Sequence, residues 1–279
     1  MKLSGGIKVV LLIVNLLILE NTSRAGHLDT LDIYSQSMNK VSRCIVITPN
    51  NYDYAGKPYP VLYLLHGWSG NYAGWLSDAP QLKDHADTYQ MIIVCPDGGY
   101  DSWYIDSPVD STVRYETHLS KEVVETVDHF YHTIQSPKGR AIAGLSMGGH
   151  GALLLAIKHP DIFGAAGSMA GGLDLRPFVK NEWDLKGVLG DHRKHRDVWE
   201  ANSVVNLLPN LKDQQVELII DCGIDDFFIE TNRAAHRVLL DMDYPHDYIE
   251  RPGEHNGEYW GHAVDYQVFF FNDYFRKEE

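Results

Sequence analysis

The chain has 279 residues and a formal net charge of -14, with 38 acidic side chains against 24 lysines and arginines. Hydrophobic residues at 44 % and charged residues at 22 % are the balance of an ordinary globular protein, long enough for a substantial core. The acidic excess argues against a nucleic-acid or anionic-membrane surface, because both are held largely by basic patches.

The first segment, MKLSGGIKVVLLIVNLLILENTSRAG, carries Lys2 and Lys8, then an apolar stretch from Val9 to Leu19 interrupted by Asn15. That stretch is too short to cross a bilayer as a helix. The order basic, apolar, small is that of a secretory signal peptide, and Ser23 and Ala25 suit a cleavage site. The expectation is a signal segment over 1–25 and a secreted or periplasmic product. After cleavage it has no stable membrane association, and 26–279 forms one domain.

Beyond it, alternation around Leu31 to Tyr34 and Val41 to Thr48 predicts two antiparallel strands joined near Met38 to Lys40. VLYLLH (61–66) and MIIVC (91–95) are short, continuous apolar runs, as expected of parallel strands covered on both faces. The run from Arg140 through Gly144 and Leu145 to Ser146, and VELIIDC (216–222), are of the same kind. DYIE (247–250) is a further strand candidate.

Helical patterns separate these runs. THLSKEVVETVDHFYHTI places Leu119, Val123, Val127 and Phe130 or Tyr131 on one stripe. HGALLLAIKHP stops before Pro160, and IETNRAAHRVLLDM and EYWGHAVDYQVFFFNDYF supply two more helices. The alternation predicts a three-layer α/β domain with a mainly parallel central sheet. The irregular stretch from Gly171 to Leu211 reads as an excursion partly covering a site at the strand ends, with Trp183 and Trp199 as lid candidates. Cys44, Cys95 and Cys222 lie in or beside apolar runs and read as small core residues. His129 with His132, and His192 with His195, lack further ligands at metal-site spacing and read as exposed helical histidines.

The chemistry concentrates in AIAGLSMGGHG (141–151). GLSMG is the pattern G-x-S-x-G between a strand and a helix, the context of a nucleophile elbow. Gly144 and Gly148 leave room for close backbones, and Ser146 is presented at the helix start. A serine hydroxyl needs a base, and the base needs an orienting acid. DCGIDDFFIE offers Asp225 or Asp226 after one strand, and RPGEHNGEYW offers His255 after the next, in the order serine, acid, histidine. The residues alone do not separate the two aspartates. Attack on a carbonyl also needs donors for the oxyanion. The N–H of Met147 follows the nucleophile, and LLHGWSG (64–70) offers the N–H of Trp68.

These motifs, with YPVLYLLHGWSG, GGYDSWYIDSP and RYETHLSKEVVETVD, resemble the esterase D group of α/β-hydrolases from about Thr48 to Phe275. That group includes S-formylglutathione hydrolases, tributyrin-type esterases and feruloyl or acetylxylan esterase domains, with mycolyltransferases as distant relatives. The resemblance implies an α/β-hydrolase fold. Its Gly-x-x-Asp pattern, laid on Gly223 to Asp226, selects Asp226 as the acid. It implies a serine carboxylesterase that needs no metal or organic cofactor. Exported members of the group make acetyl or feruloyl esters on plant polysaccharide, xylan above all, the favoured substrate. Trp68, Trp75, Trp103 and Tyr104 are candidate pocket walls. The alternatives are an acyltransferase of the mycolyltransferase type and a non-enzymatic sugar-binding or surface interaction protein.

Overall fold

A computed structural model describes residues 28–213 and 216–277. The expected signal segment over 1–25 lies outside the described residues.

Eight strands form one sheet in the order β1-β2-β4-β3-β5-β6-β7-β8. They are β1 (Leu28–Ser35), β2 (Lys40–Ile47), β3 (Val61–Leu65), β4 (Ile92–Pro96), β5 (Arg140–Leu145), β6 (Ala165–Met169), β7 (Glu217–Gly223) and β8 (Asp247–Arg251). Strands β1 and β2 pair antiparallel, and β2 joins β4 in the same sense. Every other pairing is parallel. The apolar runs that predicted β3, β4, β5 and β7 are the central strands, because a parallel sheet covered on both sides leaves no wet face.

Ten α-helical segments accompany the described strands. They are α1 (Gly74–Asp78), α2 (Leu82–Tyr89), α3 (Tyr115–Thr117), α4 (Val124–Phe130), α5 (Met147–Lys158), α6 (Leu185–Leu189), α7 (Arg196–Ala201), α8 (Val204–Leu207), α9 (Ile229–Asp241) and α10 (Gly257–Arg276). A π-helical turn, His118–Val123, joins α3 to α4. Val61, Tyr63 and Leu65 of β3 face a core shared with α4, α5 and α9, while Leu62 and Leu64 face one shared with α1, α2 and α10. The result is the three-layer α/β-hydrolase sandwich. No described helix is long and apolar enough to cross a membrane.

Several elements depart from the sequence expectations. Strand β6, AAGSM, was not anticipated because it lacks branched and aromatic residues. Its smallness has a packing cause: a Cβ on Gly167 would fall 1.8 Å from Gln267 Oε1 and 2.9 Å from Phe271, both on α10. The helix expected through Ile134 ends at Phe130, which is exposed, while Tyr131 turns inward. His132 therefore follows the helix, half-buried, beside exposed His129. His192 and His195 precede α7 on a turn and are also half-buried, so neither pair is a pair of exposed helical histidines. The excursion from Gly171 to Leu211 is more regular than expected, holding α6, α7 and α8. All three cysteines are buried free thiols.

Candidate active site

Ser146 stands between β5 and α5 with φ 56° and ψ −118°. An L-residue enters that region only when its surroundings hold it there. The restraint is backbone against backbone. Ser146 N–H donates to Met169 O at 2.9 Å, and Ser146 O accepts from His150 N–H at 3.1 Å. A Cβ on Gly144 would lie 2.4 Å from the Gly148 carbonyl, and one on Gly148 would lie 2.4 Å from Leu65 O. Only glycine lets β3, β5 and α5 approach this closely, so the serine side chain is pushed out at the strand end.

Two later loops meet it. His255, between β8 and α10, has Nε2 2.9 Å from Ser146 Oγ and Nδ1 2.7 Å from Asp226 Oδ2. With the proton on Nδ1, the ring donates to the carboxylate and accepts from the hydroxyl. The other carboxylate oxygen, Asp226 Oδ1, accepts from Phe228 N–H at 2.8 Å. Of the two aspartates that the residues left open, buried Asp226 is the one that meets His255, while Asp225 is exposed. The two loops are stitched together: Ile224 N–H donates to Arg251 O and Asp225 N–H to Gly253 O. Beneath them, buried Asp221 accepts from Arg251 at 2.6 Å and from the Tyr259 hydroxyl.

The loop after β3 closes on Ser146. A Cβ on Gly67 would lie 2.7 Å from Leu145 Cδ1 and 3.3 Å from Ser146 Cβ. Within the described residues the backbone N–H groups of Trp68 and Met147 make no hydrogen bond, so both remain available as donors. His66 fixes this loop: Nδ1 donates to Gly67 O at 2.8 Å and Nε2 accepts from Gly98 N–H at 2.8 Å. Burial lowers the pKa of His66, outweighing the bond to Gly67 that favours its charged form. A neutral ring is what the two bonds require, since Nε2 must keep its lone pair.

A cavity of about 230 Å³ opens beside Ser146 and His255. Trp68 and Trp75, expected as walls, line it. Trp103 and Tyr104, also expected there, do not. Both are buried at 1 % and 0 % exposure. Trp103 donates Nε1–H to Trp183 O, and the Tyr104 hydroxyl donates to His66 O at 2.9 Å. They brace the site from behind: a Cβ on Gly151 would meet the Tyr104 ring at 2.4 Å. The lid candidates also divide. Trp183 lines the cavity and stacks on Phe227, whereas Trp199 is buried with its Nε1–H on Gly190 O.

Three wall residues escaped the sequence reading. Phe227 lies 4.1 Å, centroid to centroid, from the His255 ring, and Trp260 meets that ring edge-on at 4.9 Å. Asp78, at the end of α1, completes the wall. Phe227 had a signal in its adjacency to the acid. Trp260 and Asp78 had none, being ordinary positions on helices until the chain folds.

Comparison with known proteins places this arrangement. The Esterase family model matches residues 35–270. An acetyl esterase from Caldicellulosiruptor saccharolyticus is 24 % identical over 252 residues, covering 84 % of this chain and 94 % of that protein. An endo-1,4-beta-xylanase/feruloyl esterase from Xylanibacter ruminicola is 30 % identical over 172 residues, 58 % of this chain but 24 % of that longer protein. A solved ferulic acid esterase superposes with a TM-score of 0.77 at 28 % identity, covering 90 % of this chain and 99 % of its own.

Proposed function

The chain belongs to the Esterase family, in the esterase D group of α/β-hydrolases, and is a carboxylic-ester hydrolase; we propose that it works through Ser146, His255 and Asp226. The reading rests on the unbroken hydrogen-bond path from Ser146 Oγ through His255 to buried Asp226. His255 takes the proton of Ser146 as Oγ attacks the ester carbonyl, and Asp226 holds the imidazole in the required tautomer. The N–H groups of Trp68 and Met147 stabilise the tetrahedral oxyanion, each donor contributing about 3 kcal/mol. The alcohol leaves with the proton from His255. Water, deprotonated by the same ring, then releases the acid and restores the serine.

The proposed substrates are acetyl or feruloyl esters carried on plant polysaccharide such as xylan. The relatives named as acetyl and feruloyl esterases support this reading, as does the aromatic cavity beside Ser146. We also propose export, from the basic, apolar and small order of residues 1–25.

The test is a comparison of kcat/KM for p-nitrophenyl acetate, butyrate and octanoate, methyl ferulate, and acetylated and feruloylated xylan. Short acyl chains are expected to exceed octanoate, with activity on at least one decorated xylan. Preference for octanoate, or inactivity on both polymers, overturns the substrate reading. A folded protein that takes no serine-reactive phosphonate at Ser146 overturns the mechanism.

A further inference from the structure

Among the described residues that line the cavity, Asp78 is the only carboxylate and none is a lysine or arginine. Its carboxyl sits at the start of α10. A Cβ on Gly257 would come 3.2 Å from Asp78 Oδ1, and one on Gly261 would come 2.2 Å from Asp78 O. The absence of side chains at these two glycines is what lets the end of α1 reach the cavity. Burial raises the Asp78 pKa against a bond to Ser77, and among the described residues no ion pair reaches this group.

Much of the remaining wall is aromatic. Trp68, Trp75 and Trp260 contribute indoles whose buried Nε1–H groups have no hydrogen-bond partner among the described residues. Packing alone therefore holds these rings, with no polar anchor to fix their rotamers. Broad aromatic faces with a carboxylate acceptor at the edge match a ring that is apolar on its faces and hydroxylated on its rim. An uncompensated carboxylate in the same space is unfavourable for a second negative charge.

Taking the serine-esterase reading above as given, we infer that Asp78 determines specificity: it accepts a hydrogen bond from a hydroxyl on a neutral ring and turns away esters that carry an anionic group into this cavity. The ring is a sugar on the alcohol side or a phenol on the acyl side. Both present the same neutral hydroxyl, and the experiment separates them.

Matched substrate pairs test the inference on the wild type and on Asp78→Asn. The charge pair is an acetylated methyl xyloside and an acetylated methyl glucuronide. The hydroxyl pair is methyl ferulate and methyl 3,4-dimethoxycinnamate. The wild type should favour the neutral sugar over the anionic one by roughly tenfold in kcat/KM or more, and raised salt should narrow the gap. Asp78→Asn should bring that ratio close to one. If a phenol occupies the cavity, the sugar pair gives a ratio near one and the ferulate preference collapses in Asp78→Asn; if a sugar occupies it, only the sugar pair responds. A wild-type charge ratio near one together with no preference for methyl ferulate over its dimethoxy analogue overturns the inference without any variant, as do preferences that Asp78→Asn leaves unchanged. Wild-type hydrolysis of p-nitrophenyl acetate separates the two levels. Its absence, with every other ester also inert, refutes the esterase reading, whereas hydrolysis with unchanged ratios refutes the role of Asp78 alone.

Discussion

The turn around Ser146 and the wall of the cavity beside it lie in contact, yet they are built on opposite principles. At the turn, backbone meets backbone: Gly144 and Gly148 have no room for even a methyl group, and Ser146 is held at positive φ. At the wall, large side chains converge from positions as distant as Trp68, Asp78, Trp183, Phe227 and Trp260. The first region tolerates almost no change in composition. The second can be re-lined one residue at a time without disturbing the sheet. Within one fold, the turn and the cavity lining are thereby placed under separate structural control.

The largest expected effect belongs to the turn. Ser146→Ala should lower kcat/KM on p-nitrophenyl acetate by roughly 10⁴-fold or more, with the unfolding transition retained. Full activity in folded protein would detach the turn from the chemistry. Next comes the acid. Asp226→Asn should cut kcat by about 10⁴-fold, on the analogy of a serine protease triad. Asp225→Asn, at an exposed position, should stay within about threefold, and the reverse ranking would overturn the assignment.

Stability measurements then sharpen the contrast. Gly148→Ala forces a methyl against Leu65 O and should cost about 3 kcal/mol in urea unfolding, near the upper end for overpacking. Trp183→Ala, at the wall, should cost less than about 1.5 kcal/mol, since its side chain is only half-buried, and should instead shift KM for ring-bearing esters. A Trp183→Ala loss as large as that of Gly148→Ala would erase the distinction between the two regions.

The same distinction explains what the sequence disclosed. The turn was legible because close backbone approach demands glycine at fixed spacing, and the strand and helix around it have continuous apolar patterns. The fold class followed from the central strands for the same reason. Strand β6 stayed hidden because four of its five residues are alanine, glycine or serine, with α10 packed against Gly167, which removes the pattern that marks a strand. The choice between Asp225 and Asp226 depends on which side chain turns inward, a fact of loop geometry with no local residue signal. Trp103 and Tyr104 were misplaced because nearness in sequence to the strand ends does not say whether a ring faces the cavity or the core. Trp260 and Asp78 acquire their place only when α10 docks against α1.

The spread of the site across the sheet has a consequence for folding. Ser146 and His255 are 109 residues apart in sequence, and His255 depends on the loop after β8, an edge strand. Contacts of such separation form late, because long stretches of chain must be closed before they are rewarded. The elbow can assemble with β3, β5 and β6 while the last strand and α10 are still searching. During synthesis, the turn at Ser146 is therefore complete long before His255 emerges. Regain of hydrolysis on refolding should trail burial of the central strands, which makes activity a reporter of the final docking step.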